Sequence, residues 1–185
     1  MNRQRDRFVT CVAVALLAMS IGVGAQPASV PAVKAAFLYN FVKFAEWPSD
    51  ALAPGHRLSL CVVGAKAVAD ALREVINGRP VEGHELTVEV VKADGPIRSC
   101  HLLYVSDLDA RRSTQLLETL KGASVFTVGD GDKFAESGGM AQLILEDDRM
   151  RFAINTRAAD RARIHLSSKL LRLARIVKDE HDAQQ

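Results

Sequence analysis

Leu58-Ser59-Leu60-Cys61-Val62-Val63-Gly64-Ala65-Lys66-Ala67-Val68-Ala69-Asp70-Ala71-Leu72-Arg73-Glu74-Val75-Ile76-Asn77-Gly78 is the stretch that decides the fold class of this chain. Its first six residues are a short, mostly apolar run closed by a glycine, which predicts a buried strand. Val68, Ala71, Leu72, Val75 and Ile76 then recur at i, i+3, i+4, i+7 and i+8, the period of an amphipathic helix. Asn77-Gly78 supplies the stop. A buried strand leading into such a helix is the first half of a βαβ unit, and parallel strands need crossovers of this kind.

Working outward, the same pattern recurs. Leu86 to Val91 alternates as a strand near a sheet edge, and Leu102 to Val105 is a second buried strand. Asp107 or Asp109 can cap a helix reaching Leu120 whose core face is Leu108, Leu116, Leu117 and Leu120; Gly122 ends it. Val125 to Val128 predicts a strand. Met140 to Glu146 and Arg149 to Ile154 flank Asp147-Asp148 as a hairpin that adds an antiparallel edge. Asn155 or Thr156 caps a closing helical region with the stripe Leu166, Leu170, Leu173, Ala174 and Val177. Toward the N-terminus, Ser29 and Pro31 open a helix carrying Val33, Phe37, Phe41 and Phe44, which Trp47-Pro48 stops. The expectation is one α/β domain over residues 26–185, with a mainly parallel sheet, helices on both faces, and a C-terminal β-hairpin and helix.

Residues 1–25 are built differently. Arg3, Arg5 and Arg7 precede an apolar run from Phe8 to Val23, and Val23-Gly24-Ala25 has small side chains where a signal peptidase reads. At about 16 residues the run falls short of the roughly 20 that a spanning helix needs. A signal peptide cleaved after Ala25, and export to the periplasm, are expected. The whole chain has 24 Lys+Arg against 22 Asp+Glu; losing three Arg and Asp6 leaves 21 of each. A neutral mature chain gives no reason to expect a nucleic-acid partner.

Catalytic patterns are missing where they would be informative. There is no Gly-x-Ser-x-Gly elbow, no Walker loop and no complete Gly-x-Gly-x-x-Gly. Gly129-Asp130-Gly131-Asp132 lacks the third glycine, and its carboxylates would repel a phosphate. Cys61, Cys100 and His101 lack the spacing of a zinc site. Cys100-His101 is a poor nucleophile pair, since neighbouring residues on a strand face opposite ways. Glu146, Asp147 and Asp148 read as a solvated turn. No metal, cofactor or catalytic residue is assigned, and a binding protein is favoured over an enzyme.

Two features remain. Cys61 lies in one expected strand and Cys100 just before another, and in a sheet of order 2-1-3 those strands are neighbours. A disulfide would close a loop of about 40 residues, worth roughly 4 kcal/mol in the chain-entropy model; two buried free thiols are the other reading. Phe37, Tyr39, Phe41, Phe44 and Trp47 fall within eleven residues. With Leu38 and Val42 they make the first helix apolar nearly all round, which requires cover on both sides. A protein core or a contact with a partner or second copy would supply it. Tyr39, Phe41 and Trp47, with Leu171 and Ile176 outside the closing stripe, are the candidate interface residues.

The run from Ala35-Ala36-Phe37-Leu38-Tyr39-Asn40-Phe41 through Val42-Lys43-Phe44-Ala45-Glu46-Trp47-Pro48 resembles the opening signature of the YfiR family of periplasmic regulators. The likeness continues at Gly138-Gly139-Met140, Arg151-Phe152-Ala153-Ile154-Asn155 and Ser167-Ser168-Lys169-Leu170-Leu171-Arg172-Leu173-Ala174. It implies a repressor of a membrane-bound, YfiN-like GGDEF diguanylate cyclase that binds the cyclase's periplasmic region and is sequestered by a YfiB-like outer-membrane lipoprotein. Cyclic di-GMP signalling, and with it biofilm formation, would be set without contact with the nucleotide. Cys61 and Cys100 match one cysteine pair of the family; a second pair, near Gly138, is absent here. The alternative is a small-molecule sensor domain with its ligand among the loops near Gly64, Ser106 and Gly129, beyond the strand ends.

Overall fold

The computed structural model describes residues 28–179. The expected signal segment and its cleavage after Ala25 lie outside the described residues. The described chain opens with α1 (Val30–Lys43), in which the Ser29 hydroxyl accepts from the Ala32 N–H as N-cap and Pro31 occupies the first turn. Then follow β1 (Ala45–Glu46), β2 (Leu58–Val63), α2 (Lys66–Ile76), β3 (Leu86–Val90), a 3-10 turn (Ile97–Ser99), β4 (Leu102–Val105) and α3 (Ala110–Thr119). β5 (Phe126–Gly129) leads to the hairpin β6 (Ala141–Glu146) and β7 (Arg149–Asn155). The chain continues through α4 (Thr156–Arg161), β8 (His165–Leu166), α5 (Ser168–Leu171) and β9 (Arg175–Val177).

Seven of these strands form one sheet in the order β3-β2-β4-β5-β6-β7-β9. All pairings in it are parallel except the β6–β7 hairpin. Alternation along the strands sends their side chains to two faces. Leu58, Leu60, Val62, Leu102, Tyr104, Phe126 and Val128 pack with α1, α2 and the C-terminal elements. Cys61, Val63, Leu103 and Val105 pack with Leu116 and Leu120 at the other face, under α3. The sheet is therefore covered on both faces, as parallel sheets require.

Asp147 and Asp148 turn the hairpin with both residues at positive φ, 49° and 59°, the twist that suits a two-residue connection. Gly129 and Gly139 make room for one ring. A Cβ on either would lie 2.3–2.4 Å from Phe134, so neither position admits a side chain.

Two expectations need correction. α1 stops at Lys43, four residues before Trp47, because the chain next pairs as β1 with β8. The closing region is not one helix. Arg163 at φ 57° ends α4, with the Ile164 N–H donating to the Ala159 carbonyl. β8 then pairs with β1, Ser167 caps α5, and residues 175–177 form β9 beside β7. The hairpin is accordingly not the sheet edge; β9 is. Leu173, expected in the core stripe, is 75% exposed.

Candidate partner-binding surface

The five interface candidates have different surroundings. Phe41 does not reach the surface: it is 1% exposed, stacks on Phe126 at 5.6 Å and meets Phe37 and Phe152 edge-on. Its position on α1 faces the sheet, so its ring belongs to the core. Tyr39 lies half-buried, with the Lys43 ammonium 5.6 Å from its ring centre. Trp47, also half-buried, donates its indole N–H to the His101 carbonyl at 3.1 Å. Leu171 is half-buried against the main core, whereas Ile176 stands 51% exposed on the edge strand.

Ile176 has company that the sequence pattern did not single out. Leu173 precedes β9, and Leu145 stands 55% exposed opposite Met150 at the outer end of the hairpin. A hollow of about 290 Å³ between hairpin and β9 is lined by Phe37, Met150, Phe152 and Leu173 together with Arg151 and Arg175. Arg149 and Arg172 are exposed on the same two segments. Glu146 on the lining is ion-paired to Arg151 at 3.3 Å, and Asp147 and Asp148 are exposed on the adjoining turn. Exposed apolar side chains beside polar ones are a common feature of protein-binding surfaces; Leu173 lines the hollow, Ile176 stands on the neighbouring edge strand, and Leu145 lies on β6 across β7 from it. The signal for Leu173 was a helical stripe, which assigned it inward; only the break at β8 and α5 turns it out.

The loops at the strand ends hold a different kind of group. Gly64 approaches the Ser106 carbonyl so closely that a Cβ would lie 2.3 Å from it. The Asp130 carboxylate accepts from the Tyr104 hydroxyl at 2.7 Å and the Ser106 hydroxyl at 3.1 Å, and pairs with the Lys34 ammonium. Burial, and next the bond to Asp130, push the Tyr104 phenol far above its ordinary range. Gly64, Ser106 and Gly129 do come together, but the polar groups there satisfy one another and tie the first turn of α1 to the sheet. Among the described residues no cluster of His, Cys, Asp and Glu could hold a metal ion, and no helix is long and apolar enough to cross a membrane.

Cys61 and Cys100 form a disulfide, with Cα atoms 5.9 Å apart. It joins β2 to the segment entering β4, the neighbouring strand. Beside it, His101 completes the ladder with its side chain. The His101 N–H donates to the Ser59 carbonyl at 2.9 Å, and the Ser59 N–H donates to His101 Nδ1 at 3.0 Å. A backbone N–H can only donate, so Nδ1 carries the lone pair and Nε2–H donates to the Ala51 carbonyl at 3.2 Å. Burial, with the nearby charge of His84, lowers the His101 pKa. The geometry keeps this imidazole neutral.

Among solved structures, a conserved domain protein from Vibrio cholerae O1 biovar El Tor resembles this chain with a TM-score of 0.54 at 13% sequence identity. The likeness covers 83% of this chain and 62% of that one, so the chain spans less than two-thirds of the Vibrio protein. At that identity it shows the fold alone. A family model described as DUF4154, YfiR/HmsC-like, matches residues 31–175, from the first turn of α1 to the first residue of β9. The chain belongs to the YfiR/HmsC-like family.

Proposed function

We propose that this protein is a periplasmic regulator that represses a membrane-bound GGDEF diguanylate cyclase by binding its periplasmic region, and so lowers cyclic di-GMP. The observation that carries the reading is the pair of exposed apolar side chains at the β9 edge, Leu173 and Ile176, with arginines beside them, on a chain whose family is regulatory. The absence of a catalytic sequence pattern is consistent with that reading. Tyr39 on α1, and Trp47 beside His101 at the entry to β4, lie apart from this edge and are not part of the proposed contact.

The rim favours one kind of partner. An apolar face with Arg149, Arg172 and Arg175 around it suits a partner helix or strand carrying apolar anchors flanked by acidic residues. Repression then follows by population shift. The regulator binds the inactive arrangement of the cyclase's periplasmic domain more tightly than the active one, and it shifts the equilibrium by that difference alone. An outer-membrane lipoprotein of the YfiB kind would relieve repression by competing for the same protein. A second copy of the chain could use the same apolar face, and sedimentation of the free protein distinguishes that case.

The test is capture of the oxidised protein by the purified periplasmic region of a GGDEF cyclase from the same genome. Binding below about 10 μM is expected, an ordinary range for a transient regulatory contact. No capture at tens of micromolar protein would overturn the proposal.

A further inference from the structure

A cleft of about 480 Å³ opens between the C-terminal turn of α3 and α4, and it shares no residue with the β9-edge surface. It exists because β6 pairs with β5 only at Val128 and Gly129. The first half of β5 has no strand beside it on that side. Val125 and Thr127 therefore form a floor rather than an interior rung, closed on one side by Leu117 and Leu120 and on the other by Ala158 and Ala162.

The lining has two properties that point to a ligand class. Its apolar side chains are all aliphatic: Leu117, Leu120, Val125 and Met140 together with alanines, and no aromatic ring. At the mouth, Arg161 is oriented from one side only. Its Nη1 donates to Asp179 Oδ2 at 2.5 Å, and Asp179 is in turn buried and fixed by the Asn155 amide. Arg161 Nε and Nη2 have no partner among the described residues, and its side chain is 54% exposed. The other charged pair on the lining, Lys121 with Glu118 at 2.5 Å, is exposed at the C-terminal end of α3.

We infer that this cleft binds a small aliphatic monocarboxylate, its chain on the Leu117–Val125–Met140 floor and its carboxylate on the free edge of Arg161. Two N–H groups in the plane of a guanidinium match the two oxygens of a carboxylate. The volume lies within the range of sites for small ligands. Asp179 sets the charge limit: a doubly charged head group would lie beside a buried carboxylate, and a monoanion carries half that repulsion. The inference is independent of any partner at the β9 edge.

Octanoate is a suitable probe, with octan-1-ol as the same chain lacking the charge. Titration calorimetry and thermal melting of the full oxidised protein are expected to show saturable octanoate binding and a raised Tm. Octanol should bind at least roughly tenfold more weakly. Arg161→Gln should lose octanoate by the same factor. Because that change also leaves Asp179 without its ion pair, Ala162→Phe provides the second variant, filling the cleft while leaving Arg161 and Asp179 in place. Its melting in the absence of ligand should stay near that of the unaltered protein while octanoate no longer shifts it. No saturable binding up to millimolar octanoate, equal binding of octanol, or undiminished binding by Ala162→Phe would each overturn the assignment.

Discussion

On the face of the sheet covered by α1, α2 and the C-terminal elements, 28 described residues form one buried cluster that includes the rings of Phe41, Phe126 and Phe152. On the face under α3 there are ten, and two of those ten are Cys61 and Cys100. The larger cluster obtains its stability from area removed from water. The smaller one offers less area and carries a covalent tie between β2 and the segment entering β4, which acts chiefly by restricting the unfolded chain. A domain in an oxidising compartment can divide the work in this way; the same α3 face in a reducing one would have to be larger.

That contrast can be broken from either side. Phe41→Ala removes a ring with three aromatic neighbours from the larger cluster and should cost about 3–5 kcal/mol, read by chemical denaturation. The loss should be the same with or without reductant, since the two sites lie on opposite faces and share no partner. Replacing Cys61 and Cys100 together by Ala should cost about 2–4 kcal/mol and make the protein's stability indifferent to reductant. Gly139→Ala drives a methyl group into Phe134, which belongs to the smaller cluster, and should cost about 1–3 kcal/mol by the same measurement.

The smallest expected effect is a pH dependence at the disulfide-bearing end. Folding holds the His101 pKa below its ordinary value, so the unfolded chain binds more protons as pH falls through about 6.5. Stability should therefore be full above that pH, decline below it, and level off once the folded-state imidazole is also protonated. His101→Asn should flatten this profile between about pH 7 and 5, at a cost near 1 kcal/mol for altered hydrogen bonds to Ser59 and Ala51. Melting temperature against pH for both proteins checks it.

Much of this was legible in the sequence, for a physical reason. β2, α2 and β4 have the bounds their local patterns predict, because each carries one period and ends at its own punctuation. The cysteine pair was legible because the order of a parallel sheet determines which strands touch. The region from Thr156 to Val177 was not. Leu166, Leu170, Leu173, Ala174 and Val177 fit a helical stripe, yet Leu166 pairs with Ala45 and Val177 with Asn155. Pairings made at such sequence distance leave no local period. Phe41 illustrates the converse: aromatics all round α1 announced that both sides were covered, without saying which side faced the sheet. Ile176, placed off the helical stripe, stands 51% exposed on a strand, and Leu173, placed inside that stripe, is 75% exposed.

The central claim is that the β9 edge is a partner surface, and its most direct test is a binding titration of the cyclase's periplasmic domain against the oxidised protein and its Leu173→Asp/Ile176→Asp variant. Both side chains are more than half exposed, so the variant should melt within a few degrees of the unaltered protein. The account predicts that the double change weakens binding by at least roughly tenfold, the loss of one or two apolar anchors at a contact of this kind. Equal affinity of the two proteins for the cyclase domain would contradict it.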